Sequence, residues 1–147
     1  MSDLKPVSFV VPGEPQGKGR PRIGKVGNHA RMFTPTKTVA YEGLVALAAQ
    51  DVMQGRELLQ GAVMVEMKIF VSIPQSMSKK RKAQALAGQI FPTKKPDVDN
   101  VEKAIFDAIN GVVWKDDVQV VDVFKRKRYG ETPGVLVRIV PLEGDES

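Results

Sequence analysis

Residues 97 to 117 read DVDNVEKAIFDAINGVVWKDD, and this stretch holds the side chains best suited to chemistry. It carries Asp97, Asp99, Asp107, Asp116 and Asp117, with Lys103 among them. With Glu102 and Lys115 included, the segment sums to −4 inside a chain of formal net charge +5, so the remaining residues sum to +9. A small acidic island on a basic body suits metal-assisted attack on a phosphodiester. The body attracts phosphates, and the acids hold a divalent cation. Hard oxygen ligands, with no cysteine and no histidine pair, favour Mg²⁺ or Mn²⁺ over Zn²⁺.

Spacing decides which of these groups can act together. Asp97 and Asp99 are two residues apart, so in an extended segment they point to the same side. Pro96 biases the chain before them toward an extended or loop state. A helix is predicted from about Asn100 to Asn110. Val101, Ala104, Ile105 and Ala108 fall on one face; Lys103 and Asp107 lie opposite, and Phe106 breaks the pattern. The spacing Asp99, Lys103, Asp107 puts the lysine one turn from each acid. Gly111 is a stop, Trp114 an anchor in the core, and Asp116 and Asp117 precede a strand from which they can swing back to the other acids. The same residues also allow a plainer reading, in which Asp97 or Asp99 caps the helix and Lys103 pairs with its neighbours on a solvated face.

The elements that must position this segment follow from pattern. Val7 to Val11 reads as a strand. Residues 12 to 33 hold five glycines and three prolines without periodicity, so they read as a long loop. Its charges are Lys18, Arg20, Arg22, Lys25 and Arg31 against Glu14 alone, which suits contact with phosphates. His29 within it reads as a solvated loop residue. Thr34 or Thr36 can cap a helix running to about Gly55, with Val39, Leu44, Leu47, Ala48 and Val52 as its buried stripe. From Val63 to Ile73 apolar residues alternate, a strand that Pro74 ends. Ser76 or Ser78 opens a short helix that Gly88 closes. Two strands, Val118 to about Arg128 and Val135 to Pro141, close the chain around a turn at Gly130, Pro133 and Gly134, and the tail at 143–147 is expected to fray.

The sum is a single α/β domain with a mixed sheet of about four strands and flanking helices. At 147 residues one domain is expected. The absence of cysteine removes disulfides, thiolate zinc sites and cysteine nucleophiles, and suits a reducing compartment. No apolar run approaches the roughly 20 residues of a membrane span, and the N-terminus lacks a signal-peptide pattern.

The run DVDNVEKAIFDAINGVVWKDDVQVVD resembles the RusA family of Holliday junction resolvases. That family carries D-x-D-N-x-x-K-x-x-x-D-A, then W-x-D-D-x-Q-V after a short turn. Here these are Asp97, Asp99, Asn100, Lys103, Asp107 and Ala108, then Trp114, Asp116, Asp117, Gln119 and Val120. The resemblance implies a small α/β homodimer that binds four-way DNA junctions and, with Mg²⁺ or Mn²⁺, nicks two opposing strands symmetrically. Carried over residue by residue, Asp97, Asp99 and Asp117 are the metal-binding carboxylates and Lys103 the catalytic lysine. Asp116 is the alternative ligand, because the two acids are adjacent. Some relatives place arginine where this chain has Pro96, so Lys94 and Lys95 supply the charge from further back. Lys18, Arg20, Arg22, Lys94 and Lys95 are the expected DNA contacts, with Lys125, Arg126 and Lys127 as further candidates or a solvated strand edge. The implied setting is the cytoplasm of a bacterium or phage-infected cell, beside the nucleoid. Two alternatives remain open: a nuclease for forks or flaps, and a non-catalytic basic binding module.

Overall fold

The computed structural model describes residues 5–19, 22–26, 29–33 and 36–142. Arg20 and the tail at 143–147 lie outside them, and for residues 22–26 and 29–33 the description is of backbone alone. Four strands form the main sheet: β1 (Val7–Pro12), β4 (Val63–Val71), β5 (Val120–Tyr129) and β6 (Gly134–Pro141). Their order is β1-β6-β4-β5. The last strand therefore sits between the first and the fourth, antiparallel to both, while β4 and β5 run parallel. This is the expected single-domain α/β fold with a mixed four-stranded sheet.

The strand pattern dictates the layers. In β4 the alternation Val63, Val65, Met67, Ile69, Val71 is buried throughout, as the period-two reading predicts. These side chains meet Val7, Phe9 and Val11 of β1 and Val135, Val137 and Ile139 of β6 on the same sheet face. Helices α1 (Thr36–Met53) and α3 (Val98–Ile109) cover that face and pack on each other. A third helix, α2 (Lys79–Leu86), starts at Ser78, whose hydroxyl accepts from Arg81 N at 3.2 Å, and it ends before Gly88 with φ +76°.

Several expectations are corrected. The stretch 12–33 is not one long loop, since β2 (Arg22–Val26) and β3 (His29–Phe33) pair as an antiparallel ribbon within it. His29 opens β3. Helix α1 buries Thr38, Tyr41, Val45, Ala49 and Met53, whereas Val39, Leu44, Leu47 and Val52 are exposed. Apolar residues lie all round that helix, so its periodicity does not select a face. Phe106 does not break the apolar face of α3; it is buried edge-on against Trp114, ring centroids 5.2 Å apart. Strands β5 and β6 do not form a hairpin, because each flanks β4. The connection passes over the end of β4, where Gly130 N donates to Val71 O at 3.0 Å. A Cβ on Gly130 would lie 2.9 Å from that of Phe70, so only glycine fits this crossing.

Candidate active site

The acids sit on one β4–α3–β5 crossover, and its geometry fixes where each can act. Asp97 is the N-cap of α3, after a cis Lys95–Pro96 peptide, and its side chain makes no capping hydrogen bond. The carboxylate is exposed and not consumed in holding the helix. Asp99 lies in the first turn, where the helix dipole favours negative charge. Its side chain is 84% exposed, and its Oδ1 accepts from Lys125 Nζ at 2.7 Å. That ammonium also reaches Glu102 Oε1 at 2.7 Å. The hydrogen bond and charge of Lys125 hold the Asp99 carboxyl below its ordinary pKa. Burial draws the Lys125 pKa down, but its two carboxylate partners outweigh this and leave it raised.

Two steps along β5, Lys127 Nζ donates to the carbonyls of Lys94 at 2.6 Å and Pro96 at 2.9 Å. Lys125 and Lys127 thus tie the start of α3 to the far half of β5 and are not a solvated strand edge. Lys103 follows Asp99 by one turn, 64% exposed and 4.0 Å from Asp107 Oδ2. Lys94 and Lys95 are exposed beside Asp97.

The basic loop docks on the same helix. Lys18 N donates to Asn100 O at 3.0 Å, and Gly19 N to Thr38 Oγ1 at 2.9 Å. A Cβ on Gly17 would approach that of Asn100 to 2.9 Å, so glycine is needed for this close contact. Lys18 Nζ is paired with Glu42 at 2.5 Å and Asp107 at 3.2 Å, and these partners raise its pKa, the Glu42 hydrogen bond most. Its charge therefore clamps the loop to α1 and α3. A cavity of about 360 Å³ lies between this loop and Pro96, Asp97 and Asn100. Arg22 begins β2, and Arg20 lies outside the described residues.

The second acidic pair is held differently. Trp114 is fully buried, its Nε1 donating to Asn110 Oδ1 at 2.6 Å. Asp116 caps a 3₁₀ turn, Asp117–Gln119, by accepting from Asp117 N at 2.9 Å. Gln119 locks that turn with both ends of its amide. Its Oε1 accepts from Lys115 N and Asp116 N at 3.0 and 3.2 Å, and its Nε2 donates to Leu59 O and Gly61 O at 2.9 and 3.0 Å. Sequence reading placed Gln119 in the motif without a role; its fixed spacing from the two acids was the available signal.

Asp97, at the N-cap, and Asp99, in the first turn, both stand at the head of α3, with Lys103 a turn further on; Asp99 is helical and not in an extended segment. Asp116 and Asp117 do not join them. The start of α3 lies over Lys125 and Lys127, whereas its last turn and the 3₁₀ turn both lie near Leu59 and Trp114. Helix and strand therefore run in opposite directions, and the two acidic pairs mark opposite ends. Among the described residues no three histidine or acidic side chains form a group able to hold a metal ion. Magnesium does not require one, since it commonly binds one or two carboxylates, keeps several waters and takes the rest from substrate phosphates. The free Asp97 carboxylate beside Asp99 fits that pattern.

A mixed α/β sheet that carries exposed carboxylates and lysines at the head of a crossover helix is a frame for cleaving phosphodiesters. The family model for endodeoxyribonuclease RusA matches residues 12–140, and the chain belongs to that family. It is also 39% identical over 135 residues to the uncharacterized protein YqaN of Bacillus subtilis (strain 168), an alignment covering 90% of this chain and 94% of the relative. The family is one of endodeoxyribonucleases, which establishes DNA cleavage as the class of activity. Among the described residues no helix is long and apolar enough to cross a membrane.

Proposed function

We propose that this protein is a Mg²⁺-dependent, homodimeric endonuclease that resolves four-way DNA junctions by paired symmetric nicks, in the cytoplasm of a bacterial or phage-infected cell. The observation that carries the reading is the Asp97–Asp99 pair on a chain matched by the RusA family over most of its length. Asp97 and Asp99 would hold the cation, with Asp117, or its neighbour Asp116, as a further carboxylate. The ion supplies an activated water and charge stabilisation at the attacked phosphate, and Mn²⁺ is able to replace it.

The residues of the chain do the rest. Lys103, exposed one turn below Asp99, offers its ammonium to the charge that develops on the phosphate. Lys94 and Lys95 position the DNA backbone without reading sequence, and Arg20 and Arg22 are further DNA contacts by their charge in the sequence. Lys18 contributes by holding the loop in place. Dimerisation matches a near two-fold substrate that needs two cuts.

Cleavage of a synthetic four-way junction, alongside linear duplex and a Y-fork, in Mg²⁺ and in EDTA tests the proposal. Paired nicks confined to the junction and abolished by EDTA are expected. Preference for the fork would move the substrate while keeping the site. Binding without cutting under any divalent metal would reduce the protein to a binding module.

A further inference from the structure

Helices α1 and α3 cover one face of the main sheet. Side chains alternate along a strand. Lys125 and Lys127 of β5 reach the start of α3, so Phe124, Arg126 and Arg128 point to the opposite face. Register carries that face across the sheet. Phe124 stands beside Glu66, Arg126 beside Lys68, Lys68 beside Leu136, and Leu136 beside Val10. Phe124 is 60% exposed, and Val10, Lys68, Arg126 and Leu136 are exposed with it. We infer that this outer face binds single-stranded DNA, with unpaired bases stacked on Phe124 and Phe91 and phosphates held by Lys68 and Arg126. The site is separate from the acids and goes beyond the junction-cutting reading, because it needs neither a metal nor a cut.

Rings, charge and shape all select a single strand. Phe91 is 53% exposed, and the Arg128 guanidinium lies over its ring, 4.9 Å from the centroid. Arg128 Nη1 donates to Lys127 O at 2.9 Å, which holds that guanidinium in place. Phe124 lies four residues back along the strand, about 13 Å at the usual rise. That span suits about two or three splayed bases of one strand. A duplex keeps its base faces inside its own stack, whereas unpaired bases stack on aromatic rings and guanidinium planes. Among the described residues Lys68 and Arg126 have no ion-pair partner, and the acid beside them, Glu66, is taken by Arg138 at 2.8 Å. A hollow of about 630 Å³ lies between β4 and β5 around Lys68, Phe124 and Arg126. A second, of about 300 Å³, continues past Lys68 to Leu136 and Val10. The two meet at Glu66 and Lys68, so they form one trough across the sheet, open to an extended chain of phosphates.

A second copy of the chain is the competing occupant. Two such faces packed together would bury more cations than acids, because among the described residues of this face Asp122 alone stands against Lys68 and Arg126. Buried charges without partners are costly. A single strand brings the phosphates that these cations lack. Strand β5 then serves both of its faces: its inward lysines hold the head of α3, and its outward side chains receive DNA.

Binding of a fluorescent oligodeoxythymidylate to the full chain in EDTA tests this face, read by anisotropy across a salt series. The wild-type chain is expected to bind. Phe124→Ala should weaken binding about tenfold or more, and Phe124→Trp should keep it, because the larger ring still stacks. The double change Lys68→Ala with Arg126→Ala should flatten the salt dependence. Undiminished binding by Phe124→Ala would overturn the inference. Loss of a dimer in that variant, with oligonucleotide binding kept, would overturn it too and give the face to a second copy. An equal loss in Phe124→Trp would trace the effect to the fold and not to stacking, and would also overturn it. Cross-linking needs no variant: a 5-bromodeoxyuridine oligonucleotide under ultraviolet light should label the β5 peptide that bears Phe124. Label confined to residues 12–33 or to the start of α3 would refute the platform. None of these readouts depends on cleavage, so the nuclease reading stands or falls apart from them.

Discussion

The two ends of the β4–α3–β5 crossover hold their acids by different physics. At the head of α3, Asp99 is exposed and fixed by one ammonium that it shares with Glu102. At the start of β5, the turn bearing Asp116 and Asp117 is fixed by backbone hydrogen bonds to Gln119, next to a fully buried Trp114. The first arrangement leaves an exposed carboxylate held by a single side-chain partner. The second fixes the backbone that bears the acids, through the Gln119 amide, which does not titrate.

Substitutions at the two ends should therefore differ in kind. Asp99→Asn should lower cleavage by about three orders of magnitude or more, equivalent to about 4 kcal/mol of transition-state stabilisation. Junction affinity in gel-shift titrations should be kept or improved, and unchanged cleavage would end the catalytic assignment. Trp114→Ala should act on the fold instead, lowering stability by about 3–4 kcal/mol in urea unfolding, since it empties a fully buried site beside Phe106. A loss below about 1 kcal/mol would mean that the turn does not depend on this anchor.

Gln119→Glu should come next. The new carboxylate can still accept from Lys115 N and Asp116 N, but it cannot donate to Leu59 O and Gly61 O. A stability loss of about 1–3 kcal/mol is expected, with cleavage falling more than junction affinity. Equal loss of both would mean that Gln119 acts on DNA binding. Lys125→Met should have the smallest effect on stability. Its signature is the Asp99 carboxyl, whose pKa by NMR should rise toward the ordinary value. The folded pKa is depressed in the wild type, so the contribution of the pair is present above the unfolded value and is lost as pH falls through the folded one. An unmoved Asp99 titration would show that the pairing does not persist in solution.

Much of the architecture was legible because period two and period 3.6 leave direct marks. The alternation in β4 and much of the apolar face of α3 were readable from the sequence, Phe106 excepted, and Ser78 and Gly88 framed α2. The ribbon β2–β3 was hidden because its sequence has glycine and charge where a half-buried strand would alternate. The buried face of α1 was missed because Thr38 and Tyr41 take the core positions while leucines face outward. The acids themselves were legible by type and spacing, and the matched family agrees with the resemblance drawn from them. Their separation was not, because distance along the chain does not reveal that a helix carries one pair to the far end of the strand that follows the other.

The position of β6 has a consequence for how the protein comes into being. Among the described residues, β6 is the strand hydrogen-bonded to both β1 and β4, and it comes last of the strands in chain order. A nascent or truncated chain ending before residue 134 has its first strand unpaired and the crossover on a sheet of two strands. Such a chain lacks the strand that joins the two parts of the sheet. The acids therefore have their four-stranded scaffold complete only once β6 is in place between β1 and β4.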